Sequence, residues 1–312
     1  MNDVLTPDKN KKTDFFICDV FDVFKDDTAS MEHPVFSLST KPDHRMLVYE
    51  NNGNVIKIKP SYTGLATIHD KDILLYLTSC LMNAKNNHEK IHSRVRFTAY
   101  DYLASTNKPI NGKSYIQLKQ GLERLSGTRI ETNIKTHTKQ ILCEFGLIDN
   151  WCIVKENQDS RMIAIEVKLS EWFYNSILGN AVLSIDKDYF QLRKPTDRRL
   201  YELARKHCGN QNTWKISLEK LKDKIGSNSS LNKLRFNIKK IAETNHLPEY
   251  NLAVEDDVVI FTRKAQVQEE TIIKPKTATK PKTTIEQFVQ ENPTLTRGKT
   301  TQEVLNLMAG RR

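Results

Sequence analysis

Residues 96–125 and 215–241 carry the same pattern, and a unit met twice restricts the possible folds more than any single motif. In the first copy Arg96-Phe97-Thr98 leads into a short helical pattern, Ala99–Leu103. A turn with Asn107, Pro109 and Gly112 follows, then a helix carrying Tyr115, Leu118, Leu122 and Leu125. In the second copy Lys215-Ile216-Ser217 leads into Leu218–Ile225, and Gly226-Ser227-Asn228-Ser229 makes the turn. Leu231, Leu234, Ile238 and Ile241 then mark the last helix. Spacings of 3, 4 and 3 put one apolar stripe on each last helix. Thr98 and Ser217 stand where a hydroxyl caps the helix that follows.

Each copy is preceded by a longer amphipathic helix, Asp70–Met82 and Asp197–His207, the first expected to be capped by Asp70. Each is followed by β patterns. In the first copy these are Arg129–Ile134, Gln140–Phe145, Trp151–Lys155 and Met162–Lys168; in the second, Tyr250–Val254 and Val258–Thr262 flank a tight turn at Asp256-Asp257. Helix, short strand, helix, turn, helix and β-hairpin is the order of a winged helix, in which the helix after the turn enters a major groove. The sequence therefore predicts an α+β chain of two tandem winged-helix domains, residues 35–180 and 181–264. Before the first copy, Val35–Leu38, Met46–Tyr49 and Val55–Ile58 read as strands, the last two joined by Asn52-Gly53. Residues 1–34 are expected to form a flexible acidic arm with an amphipathic patch from Phe15 to Phe24. Residues 265–312 are expected to be a linker and a disordered tail, because Lys274–Lys282 is Pro, Lys, Thr and Ala without apolar periodicity. Ile285–Gln290 and Thr301–Met308 are short amphipathic segments within that tail.

Charge points to the partner. The chain of 312 residues has a formal net charge of +10, and residues 184–245 alone carry +8, whereas residues 1–34 carry -4. A locally basic, patterned domain is the electrostatic footprint of a nucleic-acid binder. The helix Ser229–Thr244 leaves Asn232, Lys233, Arg235, Phe236, Asn237, Lys239 and Lys240 off its apolar stripe. Arg and Lys can pair with guanine O6/N7 and Asn with adenine N6/N7. Ser229 and Ser230 stand at the N-terminus, a seat for phosphate. The first copy offers Lys113, Ser114, Gln117, Lys119, Gln120 and Arg124, diluted by Glu123. Arg193, Lys194, Arg198 and Arg199, at the start of the long second-copy helix, are phosphate candidates. The second domain is thus expected to be the main DNA clamp, and the first a weaker reader, a dimer contact, or both. No apolar stretch approaches the ~18–20 residues of a membrane span. The N-terminus lacks a secretory h-region, and five widely spaced cysteines suit a reduced, cytoplasmic protein.

Motifs for chemistry are weak. His88-Glu89-Lys90-Ile91-His92 has the H-E-x-x-H form, but polar flanks and no evident third ligand read as a solvated connector. Gly112-Lys113-Ser114 and Gly298-Lys299-Thr300 lack the earlier glycine of a phosphate-binding loop, with Asn107 and Pro293 in its place. A nicking centre would need two His around one apolar residue, and Thr136-His137-Thr138 has one. Asp256-Asp257 is explained by its turn. No enzymatic activity, cofactor or metal is expected.

The stretch Lys194-Pro195-Thr196-Asp197-Arg198-Arg199-Leu200-Tyr201-Glu202-Leu203-Ala204-Arg205-Lys206-His207-Cys208-Gly209 resembles the most recognisable segment of the plasmid replication initiator protein A (RepA-type) family. Trp214–Leu221, Leu234-Arg235-Phe236, Leu247-Pro248-Glu249-Tyr250, Leu65–Cys80 and Phe97–Leu125 extend the resemblance over residues 35–264. It implies two winged-helix domains that bind repeated double-stranded origin sequences (iterons), promote opening of adjacent A+T-rich DNA, and recruit host proteins such as DnaA and the replicative helicase. It also implies interconversion between homodimer and monomer. The rival reading is a winged-helix transcriptional repressor without replication activity.

Overall fold

The structure, a computed structural model, describes residues 15–18, 34–51, 54–135, 140–155, 162–179, 182–209 and 211–264. The expected arm and tail lie outside these residues, apart from Pro34 and one segment of the arm. In chain order the elements are β1 (Phe15–Cys18), β2 (Leu47–Asn51), β3 (Asn54–Lys59), α1 (Lys71–Asn86), β4 (Arg94–Phe97), α2 (Ala99–Ser105) and α3 (Gly112–Gly127). They continue with β5 (Arg129–Lys135), β6 (Gln140–Gly146), β7 (Ile148–Lys155), β8 (Met162–Leu169), α4 (Glu171–Leu178) and β9 (Val182–Ile185). A 3₁₀ turn at Lys187–Gln191 leads to α5 (Pro195–His207), β10 (Thr213–Ser217), α6 (Leu218–Ile225), α7 (Leu231–Thr244), β11 (Tyr250–Glu255) and β12 (Val258–Arg263).

The repeat of the sequence is a repeat of topology. β4 pairs with β8, which pairs with β7; β10 pairs with β12, which pairs with β11. In both units the strand before the short helix joins the last strand of the hairpin, antiparallel. Thr98 accepts a hydrogen bond from the Asp101 N–H and Ser217 from the Lys220 N–H, so both short helices are capped as expected. The first unit differs by an insertion. β5 and β6 lie between α3 and β7 and join β2 and β3 in a four-stranded antiparallel sheet. Glu255 faces Val258 across a turn in which Asp256 and Asp257 have φ of 43° and 62°, the left-handed pair that a two-residue hairpin requires.

Three expectations are corrected. The arm is not free along its whole length: Phe15–Cys18 pairs with Val182–Ile185, and a run of aromatic and β-branched residues suits a strand. Val35–Leu38 forms no strand and contributes only an isolated bridge, Ser37 to Thr67. Asp70 makes no side-chain cap; its carboxylate accepts instead from Thr67 and Arg124.

Among the described residues two hydrophobic cores result. One gathers Leu74, Leu77 and Leu81 of α1 with Leu103, Leu118, Leu122, Ile130 and Val167. The other gathers Leu200, Leu203, Leu221, Ile238, Val259 and Phe261, and also takes Leu75 from α1. Fully burying each such side chain contributes ~1.5–3 kcal/mol. The start of α1 and the start of α5 are joined by buried charges. Arg198 Nη1 lies 2.5 Å from Asp72 Oδ1, and Lys108 Nζ lies 2.6 Å from Asp72 Oδ2. Lys71 donates to Glu202 at 2.8 Å, as does the Tyr189 hydroxyl. Burial, helped by the Arg198 charge, pulls the His69 imidazole down to about 4, so this ring is neutral beside the cluster.

Candidate nucleic-acid interface

The second unit presents α7 as its outer helix. Gly226 ends α6 at φ 71°, and a Cβ there would meet Pro34 Cγ at 2.5 Å. Both the left-handed backbone and the close approach require glycine at this turn. Ser230 then caps α7 by accepting from the Lys233 N–H. Asn245 closes the helix at φ 42°, its side-chain oxygen accepting from the Leu252 N–H at 2.7 Å. Leu234, Ile238 and Ile241 are buried, which turns Asn232, Lys233, Phe236, Asn237, Lys239 and Lys240 outward. Phe236 is 67% exposed, and at helical spacing its neighbours are Asn232, Lys233, Lys239 and Lys240. An apolar ring amid three ammonium groups suits a groove whose walls are anionic and whose floor carries methyl groups.

Arg235 is partly covered and makes a two-point ion pair with Asp257 at the hairpin turn. This pair holds the guanidinium above and the Asp257 carboxyl below their ordinary ranges. Ser229 is half-buried beside the cap. Arg193 and Lys194 are exposed just before α5.

The structure withdraws other candidates. Arg198 is 4% exposed and is committed to Asp72 and to the Leu192 carbonyl, so it cannot meet phosphate. Arg199 is mostly covered, donating to the Lys224 carbonyl at 2.9 Å and pairing with Glu202. In α3, Ser114 is buried and bonded to Asn111. Arg124 grips Asp70 at 2.7 and 2.8 Å. Lys113, Gln117, Lys119 and Gln120 remain exposed on that helix, with Ile116 among them and Lys119 paired to Glu123. α3 therefore offers a less charged outward face than α7.

Sequence reasoning missed a cavity of about 580 Å³ at the N-terminus of α7, lined by Arg45, Tyr49, Thr196, Ser227, Ser230 and Lys233 among others. Its walls come from segments far apart in the chain, so no local pattern could reveal it. Arg45 is held by Asp43, whose carboxyl it draws down to about 2. His88–His92 follows the end of α1, with His88 at φ 60°, so the two imidazoles do not share a helix face. Among the described residues no three His, Cys, Asp or Glu side chains converge as a metal site. Among them, too, no helix is long and apolar enough to cross a membrane.

Relatives place this architecture. A putative replication protein of Wigglesworthia glossinidia brevipalpis is 44% identical over 264 residues, covering 82% of this chain and 96% of its own. Crystal structures of RctB domains 2 and 3 share the fold at 12% identity. One has a TM-score of 0.53 over 74% of this chain, and a selenomethionine form has 0.55 over 75%, each covering 95% of the RctB fragment. The replication initiator protein A family matches residues 25–252, which hold the first unit and the second as far as α7 and the start of β11, and with it the chain belongs to that family.

Proposed function

We propose that this initiator is a non-enzymatic, sequence-specific double-stranded DNA-binding protein that acts at a plasmid origin. In this reading residues 35–180 and 181–264 are two winged-helix domains, and the second supplies the main DNA contact. The observation that carries it is α7: a buried apolar stripe on one side, and Lys233, Lys239, Lys240, Asn232 and Asn237 exposed on the other. The matching strand order of the two units supports the domain division. Repeated sites (iterons) are the ligand, because two similar units on one chain suit a repeated target.

Contact energy would be converted into duplex distortion near the sites. Bending 20–30 bp by 40–90° costs on the order of 1–6 kcal/mol, within reach of a few added contacts. Opened DNA would then be handed to host proteins such as DnaA and the replicative helicase, and a homodimer through the first domain would compete with the active monomer. The cytoplasm is the compartment that fits such partners. No cofactor enters this scheme.

The test is autonomous replication. A fragment bearing this gene and its flanking DNA should replicate in a host, and nuclease footprints on that DNA should show repeated protected sites. Footprints without replication would favour the repressor reading. No footprint would end both.

A further inference from the structure

Arg235 lies at the edge of the exposed face of α7, and its guanidinium is held from two sides. Nε donates to Asp257 Oδ1 and Nη2 to Asp257 Oδ2, each at 2.6 Å. Nη1 donates to Asn232 Oδ1, also at 2.6 Å. Guanidinium carries five N–H donors in a rigid planar fork. Three are committed, which leaves one N–H on each terminal nitrogen, and neither has a partner among the described residues. With Asn232 taking the Nη1–H that lies toward Cδ, the two donors left are parallel on the end of the fork and span a pair of adjacent acceptors. In the major groove only guanine offers such a pair, O6 with N7; adenine and cytosine place an amino group there, and thymine a single oxygen and a methyl. Asp257 comes from the turn between β11 and β12, so hairpin and helix converge on this one side chain. A guanidinium already fixed loses less freedom when it meets a base.

Resting on the reading of α7 as the recognition helix, we infer that Arg235 reads a guanine, and that Asp257 and Asn232 are positioning residues that present its fork. The acidic turn then has a purpose beyond hairpin geometry. It leaves the guanidinium unable to wander to the nearest phosphate, so the cation serves recognition rather than general attraction.

The experiment uses the full chain and a pool of random-sequence duplexes, from which bound sites are selected. Each guanine of the selected site is then replaced by 7-deazaguanine, which removes the N7 acceptor. At one guanine the wild-type protein should lose roughly ten- to hundred-fold in affinity. Arg235→Lys keeps the charge and loses the fork, so it should erase that penalty while keeping the salt dependence. Asp257→Asn should shrink the penalty at the same guanine, and Asn tolerates the left-handed backbone there. If Asp257→Asn tightens all duplexes alike and keeps the full penalty, the turn is only a repulsive charge and the inference falls. A penalty that survives Arg235→Lys also overturns it. Failure of the wild-type chain to select any sequence would instead overturn the recognition-helix reading beneath it.

Discussion

Asp72 is 0% exposed and touches two cations, Arg198 at 2.5 Å and Lys108 at 2.6 Å. Burial opposes its charge, but Arg198 and Lys108 outweigh burial, so the carboxyl is held below its usual range. Asp72→Asn would strip the paired carboxylate from a guanidinium that is itself 4% exposed. Breaking a buried pair in this way costs ~3–5 kcal/mol, because the orphaned charge stays buried. For a folded region of this size, each kcal/mol lowers Tm by ~2–4 °C, so the loss should be on the order of 6–20 °C. The partners differ. Lys108 is partly exposed and can turn to water, so Lys108→Ala should cost far less than Asp72→Asn. Replacing both Asp72 and Arg198 by apolar residues of similar volume should recover much of the loss. Urea unfolding followed by tryptophan fluorescence and circular dichroism measures all four proteins. Because the folded carboxyl titrates low, the pair's contribution is present above the ordinary carboxylate range and disappears as pH falls through the depressed value. A cost for Asp72→Asn below ~1 kcal/mol, or one equal to that of Lys108→Ala, would refute the reasoning.

His69 gives a second pH signature. Its folded value near 4 lies below the ordinary 6.5, so the unfolded chain binds the extra proton between these values. Stability should therefore fall as pH drops from 6.5 to about 4, by at most about 3 kcal/mol and less for a partly exposed ring. His69→Asn should flatten that window, and an unchanged profile would argue against a neutral buried imidazole. Neutralising Lys239 and Lys240 together should weaken binding to all duplexes and reduce the salt slope by about one for each phosphate that no longer meets a cation. A wild-type slope in that variant would remove α7 from the DNA. Gly226→Ala should cost about 2–4 kcal/mol in unfolding experiments, from the left-handed backbone and the collision with Pro34. Adding Pro34→Ala should return the collision share and leave the backbone share.

Much of the local structure was legible because it is written at short range. The α6 boundaries, the two hydroxyl caps and the Asp256-Asp257 turn each depend on a few neighbouring residues. The repeat was legible because apolar periodicity follows the buried stripe. Arg198 and Arg124 were misplaced for the opposite reason. Each lies off an apolar stripe, and helical periodicity cannot say that another element, here the start of α1, will cover that face. Residues 170–192 show the same blindness: α4, β9 and the 3₁₀ turn are short and are shaped by what they pack on. The strand at Phe15–Cys18 needs Val182–Ile185 as its partner, from the far side of the first repeat.

The placement of α1 bears on how such a protein can be re-targeted. Leu75 belongs to the second core and Asp72 neutralises Arg198, although both residues sit on α1, which precedes the first copy of the repeat. Grafting residues 181–264 from a relative with other DNA preferences would bring a foreign socket to Leu75 and a foreign partner to Asp72. A workable exchange would move positions 71, 72 and 75 together with the grafted segment, so that the cassette includes one turn of a helix outside its own stretch of sequence.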